Sequence, residues 1–327
     1  MSSADAAAAI PAPTRRRPVI AIILFALLAL LPVAVSLGLP PHWLTLLTRA
    51  MIFAIAALSL DLILGVGGLV SFGHAAFVGI GAYATGIMIT EGQTETLLIL
   101  PVVVLLCALF GAVTGAVSLR TRGVTFIMIT LAFGQMVYFL AQALSAYGGD
   151  DGLTLYERST LLGFEPFKNR TGFYYVVLGV LIACYGLISV IVASRFGRAL
   201  RAARENATRV AVTGFRVKGI QLLAYVISGM IAGLSGFLLA NHTDFVSPAF
   251  MSWPRSGELI FMVVLGGVGS LHGAIIGAIA FLLTEDVLSG LTEHWKVIFG
   301  PMIVLFVLFT HGGLVGLLRK LGLGRHD

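Results

Sequence analysis

At 58% hydrophobic and 11% charged, these 327 residues carry less than half the charge of a soluble domain (about 25%), which makes the chain a polytopic membrane protein. The net charge of +6 is read as loops on one side of a bilayer, not as an interface for nucleic acid. Cys107 and Cys184 both lie inside apolar runs without metal-ligand spacing, so no disulfide framework, metal site or cofactor is expected.

Residues 1–18 are rich in Ala and Pro and end in Arg15-Arg16-Arg17-Pro18; they read as a disordered basic tail. The apolar run Val19–Leu39 is too long for a signal-peptide core, and no A-x-A site follows it. It reads as an uncleaved first span with its N-terminus in the cytoplasm. Pro40-Pro41-His42-Trp43 makes an outer turn, and span two covers about Leu44–Leu64. Gly65–Tyr83 is apolar yet interrupted by Gly65, Gly67, Gly68, Gly73, Gly79 and Gly81. Lipid cannot satisfy an irregular backbone, so this stretch is expected to be buried in protein, with span three running from about Ser71 to Thr90.

Leu97–Leu119 is span four, and Arg120-Thr121-Arg122-Gly123 is an inner turn. Span five, Val124–Leu144, carries Thr130 and Gln135 at mid-depth. The longest outer loop, Ser145–Thr171, contains Gly148-Gly149-Asp150-Asp151-Gly152 and has room for a short interfacial helix. Span six is Gly172–Ala193.

The most basic stretch follows. Ser194–Lys218 holds Arg195, Arg198, Arg201, Arg204, Arg209, Arg216 and Lys218, seven of the chain's 21 Lys and Arg. Arg198, Arg201, Arg204 and Arg209, with Glu205 and Asn206, have helical spacing, while Leu200, Ala203, Ala207 and Val210 line another face. This predicts a short amphipathic helix between two spans, stopped at Gly214. A loop that only sets orientation needs basic charge but no helix with a defined stop, so a docking surface for a soluble partner is the sharper reading.

Span seven covers about Gly219–Ala240, and Asn241–Gly257 is again outer. The block Glu258–Leu288 is too long for one span and short for two; Gly266–Gly273 splits it into two abbreviated segments, ending near Gly267 and restarting near Ser270. The last span is about Val297–His311, followed by a basic tail from Gly312 to Asp327. Arg49, Arg158, Lys168, Arg170, Arg255 and Lys296 then fall outside and every other Lys and Arg inside, which places the basic loop and both termini in the cytoplasm. The fold class is all-α, with about nine or ten hydrophobic segments, some of them broken.

His74-Ala75-Ala76-Phe77-Val78-Gly79 and His272-Gly273-Ala274-Ile275-Ile276-Gly277 share H-x-A-x-x-G, each after a Gly-rich run and a serine, Ser71 or Ser270. Broken segments at matching places in two halves point to a substrate pathway, with Asp61, Ser71, His74, Thr130, Gln135, Ser270 and His272 as its candidate polar residues. Packing or helix-end roles for the two histidines, and a structural hydrogen bond from Asp61 to the broken segment, stand beside that reading. The glycine runs lack the Lys of a phosphate-binding loop, and neither H-E-x-x-H nor G-x-S-x-G occurs, so no ATPase or other catalytic site is expected in the chain itself.

Five stretches together resemble the branched-chain amino-acid permeases of ABC importers: Ala57–Tyr83, Thr121–Met136, Gly148–Leu153, Gly197–Asn206 and Met262–Gly273, in that family's order. The long loop with Gly148-Gly149-Asp150-Asp151-Gly152-Leu153 resembles the longer of the two homologous permease subunits. The resemblance implies a type II ABC importer-like transmembrane domain over residues 19–311, between cytoplasmic tails 1–18 and 312–327, in a bacterial inner membrane. It implies a homologous permease as partner, two cytoplasmic ATP-binding subunits and a periplasmic solute-binding protein. It makes 194–218 a coupling loop, with Arg198, Arg201, Glu205, Asn206 and Gly214 facing the ATPase. Asp61 stands where the family often has Asn, and Thr125 where it often has Tyr. Relatives carry urea, amides or aromatic acids as well as branched-chain amino acids. From a different class, an ion-coupled secondary carrier is the rival reading.

The charge bias makes a direct prediction. Cysteines in Arg204→Cys and Leu323→Cys variants should react with a membrane-impermeant maleimide only from the cytoplasmic side, and one in Glu157→Cys only from outside. The reverse pattern would overturn the orientation and the coupling role of the basic loop with it.

Overall fold

The computed structural model describes residues 19–161, 163, 167–292, 294–309 and 312–320; the expected tail 1–18 and residues 321–327 lie outside the described residues. Among the long apolar helices, one has no lipid face. α2 (His42–Asp61) continues into a π-helical turn, Leu62–Val66, and the most apolar window of this stretch is 94% buried. The corresponding windows of α4 (Thr96–Ser118), α5 (Val124–Ala143) and α6 (Arg170–Ala193) are only 28%, 22% and 28% buried. Around α2 pack α6, α8 (Val217–Thr243), α9 (Trp253–Gly266) and α10 (Leu271–Leu291), while α3 (His74–Thr90) packs on α8 and α4.

The outer helices are sided in the way a bilayer demands. On α4, Ile99, Val103, Cys107, Gly111, Thr114 and Ser118 are buried at helical spacing, while Leu98, Val102, Leu105, Leu109, Val113 and Val117 face outward. Polar side chains are absent from that second stripe, which would be a liability in water and is an ordinary lipid surface. Among the described residues, six helices are long and apolar enough to cross a membrane. With the shorter α1 (Val19–Ser36), α3, α9 and α11 (Trp295–Phe309), they account for the ten expected hydrophobic segments.

Sequence chemistry explains two helix contacts. Pro32, inside α1, has no N–H to give the carbonyl of Leu28 one turn earlier, and Leu28 is buried. The hydroxyl of Tyr174 on α6 donates to that carbonyl at 2.6 Å, so a span interrupted by proline is completed by its neighbour. At the crossing of α3 and α8, a Cβ on Gly236 would collide with the backbone carbonyl of Val78, so only glycine allows the two backbones to come this close.

At one end of the bundle, the turn after α5 pairs with the chain leaving α8. β1 (Leu153–Thr154) runs antiparallel to β2 (Phe245–Val246), with Leu153 opposite Val246. Arg158 grips the carboxylate of Asp244 with Nε at 2.7 Å and Nη2 at 2.6 Å, and Nη1 donates to the carbonyl of Phe167. The loop is therefore tied down by a bidentate ion pair, and its helical content among the described residues before α6 starts at Arg170 is a single 3-10 turn, Ser145–Tyr147.

Three elements differ from expectation. α9 starts at Trp253, inside the stretch expected to be loop up to Gly257, because Pro254 suits the first turn of a helix. α9 is short, with 14 residues, but α10 has 21 and is long enough to span, so only the first half of the split block is abbreviated. Residues expected as tail form α12 (Gly313–Lys320), which lies against α9 and α10 with Val315 buried.

The α3–α8 crossing can be tested by adding one methyl group. Gly236→Ala should lower stability by about 1–3 kcal/mol through overpacking against a backbone carbonyl. Gly179→Ala on α6, where nothing lies within 4 Å of the new carbon, should be neutral or slightly stabilising. Thermal unfolding of the two purified variants in mild detergent reads the difference; equal melting temperatures would contradict the packing account.

Candidate functional site

The two glycine-rich interruptions meet at the other end of the bundle. After α2 the chain passes through the π turn and Gly67–Gly73 before restarting as α3; between α9 and α10 it turns through Gly267 and Gly269. Asp61, at the end of α2, accepts the backbone N–H of Gly269 on Oδ1 at 2.7 Å. A carboxylate acceptor thus supplies the bond that a broken helix in an apolar surrounding lacks. Ser270 then caps α10 by accepting from the N–H of Gly273 at 3.3 Å.

α7 (Arg195–Val212) closes onto this junction. Ser194 is its N-cap, accepting from Gly197 N–H. Leu200, Ala203 and Val210 are buried and Ala207 is half-buried, as the amphipathic pattern predicts. It is not one helix, however. Asn206 adopts φ −153° and ψ 95°, which breaks the run into 195–205 and 207–212, and its Oδ1 accepts from Arg209 N–H at 2.9 Å. Asn206 is therefore the N-cap of the second half and not a residue within one helical face. Gly214, at φ +89°, ends the element as expected.

The arginines of α7 are put to separate uses. Arg198 donates to the carbonyl of Ala193 at 2.9 Å and Arg201 to that of Val192 at 2.6 Å, so both cover the last carbonyls of α6. Arg204 donates to the carbonyl of Gly65 in the α2 break. A Cβ on Gly68, whose φ is +70°, would meet Cγ of Arg204 at 2.7 Å, so that glycine makes room for the arginine stem. Glu205 and Asn206 are exposed and line a cleft of about 960 Å³ between α7, the α2 break and the turn after α4.

The seven pathway candidates fall into three groups. Asp61, Ser270 and His272 gather at the α9–α10 turn, with Ser270 Oγ 3.2 Å from His272 Nε2. Ser71, His74 and Thr130 gather where α3 restarts: Thr130 accepts from Phe72 N–H at 3.3 Å, and His74 Nε2 lies 2.9 Å from Ser59 Oγ. Ser71 and His74 are fully buried. Gln135 stands apart, half-buried on α5. None of the seven lines the 960 Å³ cleft. Sequence reasoning missed Ser59, Ser228 and Ser256, which support the restart. Ser228 donates to the carbonyl of Ser59 at 2.5 Å, and Ser256 accepts the first-turn N–H of Ala75 at 3.1 Å. It also missed Val212 and Phe215, 84% and 51% exposed beside the stop at Gly214, although two bulky apolar residues flanking T-G are a visible signal.

Comparison with known proteins identifies the family. Residues 43–308 match the family model described as "Branched-chain amino acid transport system / permease component". The chain belongs to this permease family. LivM of Escherichia coli, named a high-affinity branched-chain amino acid transport system permease protein, is 28% identical over 295 residues, 83% of this chain and 69% of LivM. LivH of Salmonella typhimurium, named as a permease protein of the same system type, is 23% identical over 82% of this chain and 92% of LivH. LsrC of an Enterobacter strain, named an autoinducer 2 import system permease protein, is 28% identical over 88% of this chain and 85% of LsrC. No solved structure gives a significant match. Within this permease fold the conspicuous motifs, Gly65–His74 and Gly266–His272, are the two interruptions and what stitches them together.

If Asp61 acts here as an acceptor, its charge is dispensable and its oxygen is not. Asp61→Asn should fold with near-wild-type stability, whereas Asp61→Leu, leaving Gly269 N–H unmet, should lose about 1–3 kcal/mol. Melting temperatures in mild detergent check this; equal losses in both variants would assign the effect to the charge.

Proposed function

We propose that the chain is the membrane-spanning permease subunit of an ATP-driven importer for branched-chain or related hydrophobic amino acids, resident in a bacterial inner membrane with both termini in the cytoplasm. It pairs with a homologous permease, receives solute from a periplasmic binding protein at the 145–171 and 241–257 loops, and is driven by two cytoplasmic ATP-binding subunits. In this reading it hydrolyses no ATP itself. The observation that carries the proposal is α7. It is rooted on α6 by Arg198 and Arg201, joined to the α2 break through Arg204, and presents Glu205, Asn206, Val212 and Phe215 to the surroundings. A partner that pushes on α7 therefore acts on the backbone of the central helix. Gly214 lets the chain reverse directly into α8.

Solute passes between the two permeases. Gln135, on the α5 helix whose apolar window is the least buried of the candidate spans, is the pathway candidate best placed for that role. Asp61, Ser71, His74, Thr130, Ser270 and His272 then act by holding the helix breaks that border it. The similarity to LsrC keeps a different small solute as the second reading. Urea, amides and aromatic acids belong to that same reading, and an ion-coupled carrier, which would need no ATP-binding partner, is the rival from another class.

The test removes apolar contact and no charge. A Val212→Ser/Phe215→Ala variant should insert normally and still pair with its homologue. It should retain its ATP-binding subunits roughly thirtyfold more weakly, the loss expected for a contact of about 2 kcal/mol at the centre of an interface. Co-purification in mild detergent and solute uptake into cells check it. Full retention and normal uptake would reduce α7 to a loop that only sets orientation.

A further inference from the structure

The cleft beside α7 has a charge problem. It is lined by Arg120, Arg122, Arg204, Arg216 and Lys218, with Glu205 as its one acid. Arg204 is committed to the Gly65 carbonyl. No carboxylate pairs with Arg120, Arg122, Arg216 or Lys218 among the described residues. Setting orientation asks for basic residues near a membrane end, not for cations converging on one cavity, where they repel one another unless an anion joins them.

Arg120 and Lys218 also line a second, smaller cavity of about 250 Å³, shared with Gly115, Ala116, Leu119 and Leu222. This one climbs the seam between α4 and α8. Its wall adjoins the outward stripe of α4, where Val113, Ala116 and Val117 are exposed, so it opens toward the lipid. The close packing of the two helices brings the cations together: a Cβ on Gly115 would meet Leu222 Cδ1 at 2.7 Å. Arg120, just past the end of α4, and Lys218, at the start of α8, therefore stand at the mouth of one groove. The turn that carries Arg120 is held by Thr121, whose hydroxyl donates to the carbonyl of Ser118 at 2.8 Å.

We propose that this seam is a binding site for an anionic phospholipid. The phosphate sits between Arg120 and Lys218, and an acyl chain lies along Ala116, Leu119 and Leu222. Two cations above an apolar groove at a membrane boundary match a headgroup and a tail together. A soluble anion would use only the first, and a soluble protein partner could not enter the second. The site is separate from the exposed surface of α7 and does not depend on the transport reading.

The full chain in nanodiscs of mixed phosphatidylglycerol and phosphatidylcholine, released for native mass spectrometry, tests it. Wild type should retain phosphatidylglycerol preferentially. Arg120→Gln/Lys218→Gln should lose roughly thirtyfold of that preference, as expected for two basic groups at an anionic surface. Arg195→Gln/Arg209→Gln, which removes the same charge from exposed positions of α7, should keep it. Ala116→Trp, which fills the groove and leaves both cations, should also lower retention, and millimolar inorganic phosphate should not displace the lipid. Unchanged preference in the first variant, equal loss in the α7 variant, or displacement by inorganic phosphate would each overturn the proposal, the last by identifying a soluble-anion site.

Discussion

A peptide group withdrawn from water must find its hydrogen-bond partner inside the protein, and this chain breaks two helices at the end of the bundle where α7 lies. The bond from Gly269 N–H to Asp61 is what makes that tolerable. It joins the end of α2 to the turn between α9 and α10, so one interruption answers the other. Arg204 serves the Gly65 carbonyl, one turn beyond Asp61, and brings α7 with it. The buried helix, the split hairpin and the basic element are thus one unit, held by polar contacts few enough to name. Each involves a charged side chain meeting a backbone group, which makes it stronger than a neutral hydrogen bond.

The two ends of the bundle handle charge differently. At the end bearing β1 and β2, acids and bases meet: His42 with Asp286 at 3.0 Å, Arg49 with Glu285 at 3.6 Å, Arg158 with Asp244, and Arg255 with Glu258 at 2.5 Å. At the α7 end, arginines turn to backbone carbonyls or converge on a cleft with Glu205 as its one acid. The first arrangement closes a surface on itself. The second leaves a field that other molecules must balance.

Much of this was legible in the sequence. Span positions followed from apolar runs, and the breaks at Gly65–Gly73 and Gly266–Gly269 from the clustering of their glycines. The burial of Leu200, Ala203 and Val210 followed from helical period. What stayed hidden depends on partners far apart in the chain. Nothing local to Arg204 points to the Gly65 carbonyl, 139 residues away. The division of α7 at Asn206 was within reach, since Asn is a favoured N-cap, but unbroken helical spacing on both sides masked it. The full length of α10 was missed because a glycine run looks the same whether it shortens both flanking helices or only one. Of the seven pathway candidates, the residue types pointed to mid-membrane polarity, but spacing alone could not separate side chains that hold a break from one that faces a neighbour.

The proline in α1 sets an order of events. Leu28 leaves the ribosome with a carbonyl that Pro32 cannot serve, and the hydroxyl that will serve it belongs to Tyr174, 146 residues later. At about 5–20 residues per second, synthesis of that interval takes roughly 7–30 s. Throughout it the Leu28 carbonyl lacks the partner that α6 will bring. α1 can take its final seat only after α6 has been made, so the earliest span in the chain is among the later ones to settle.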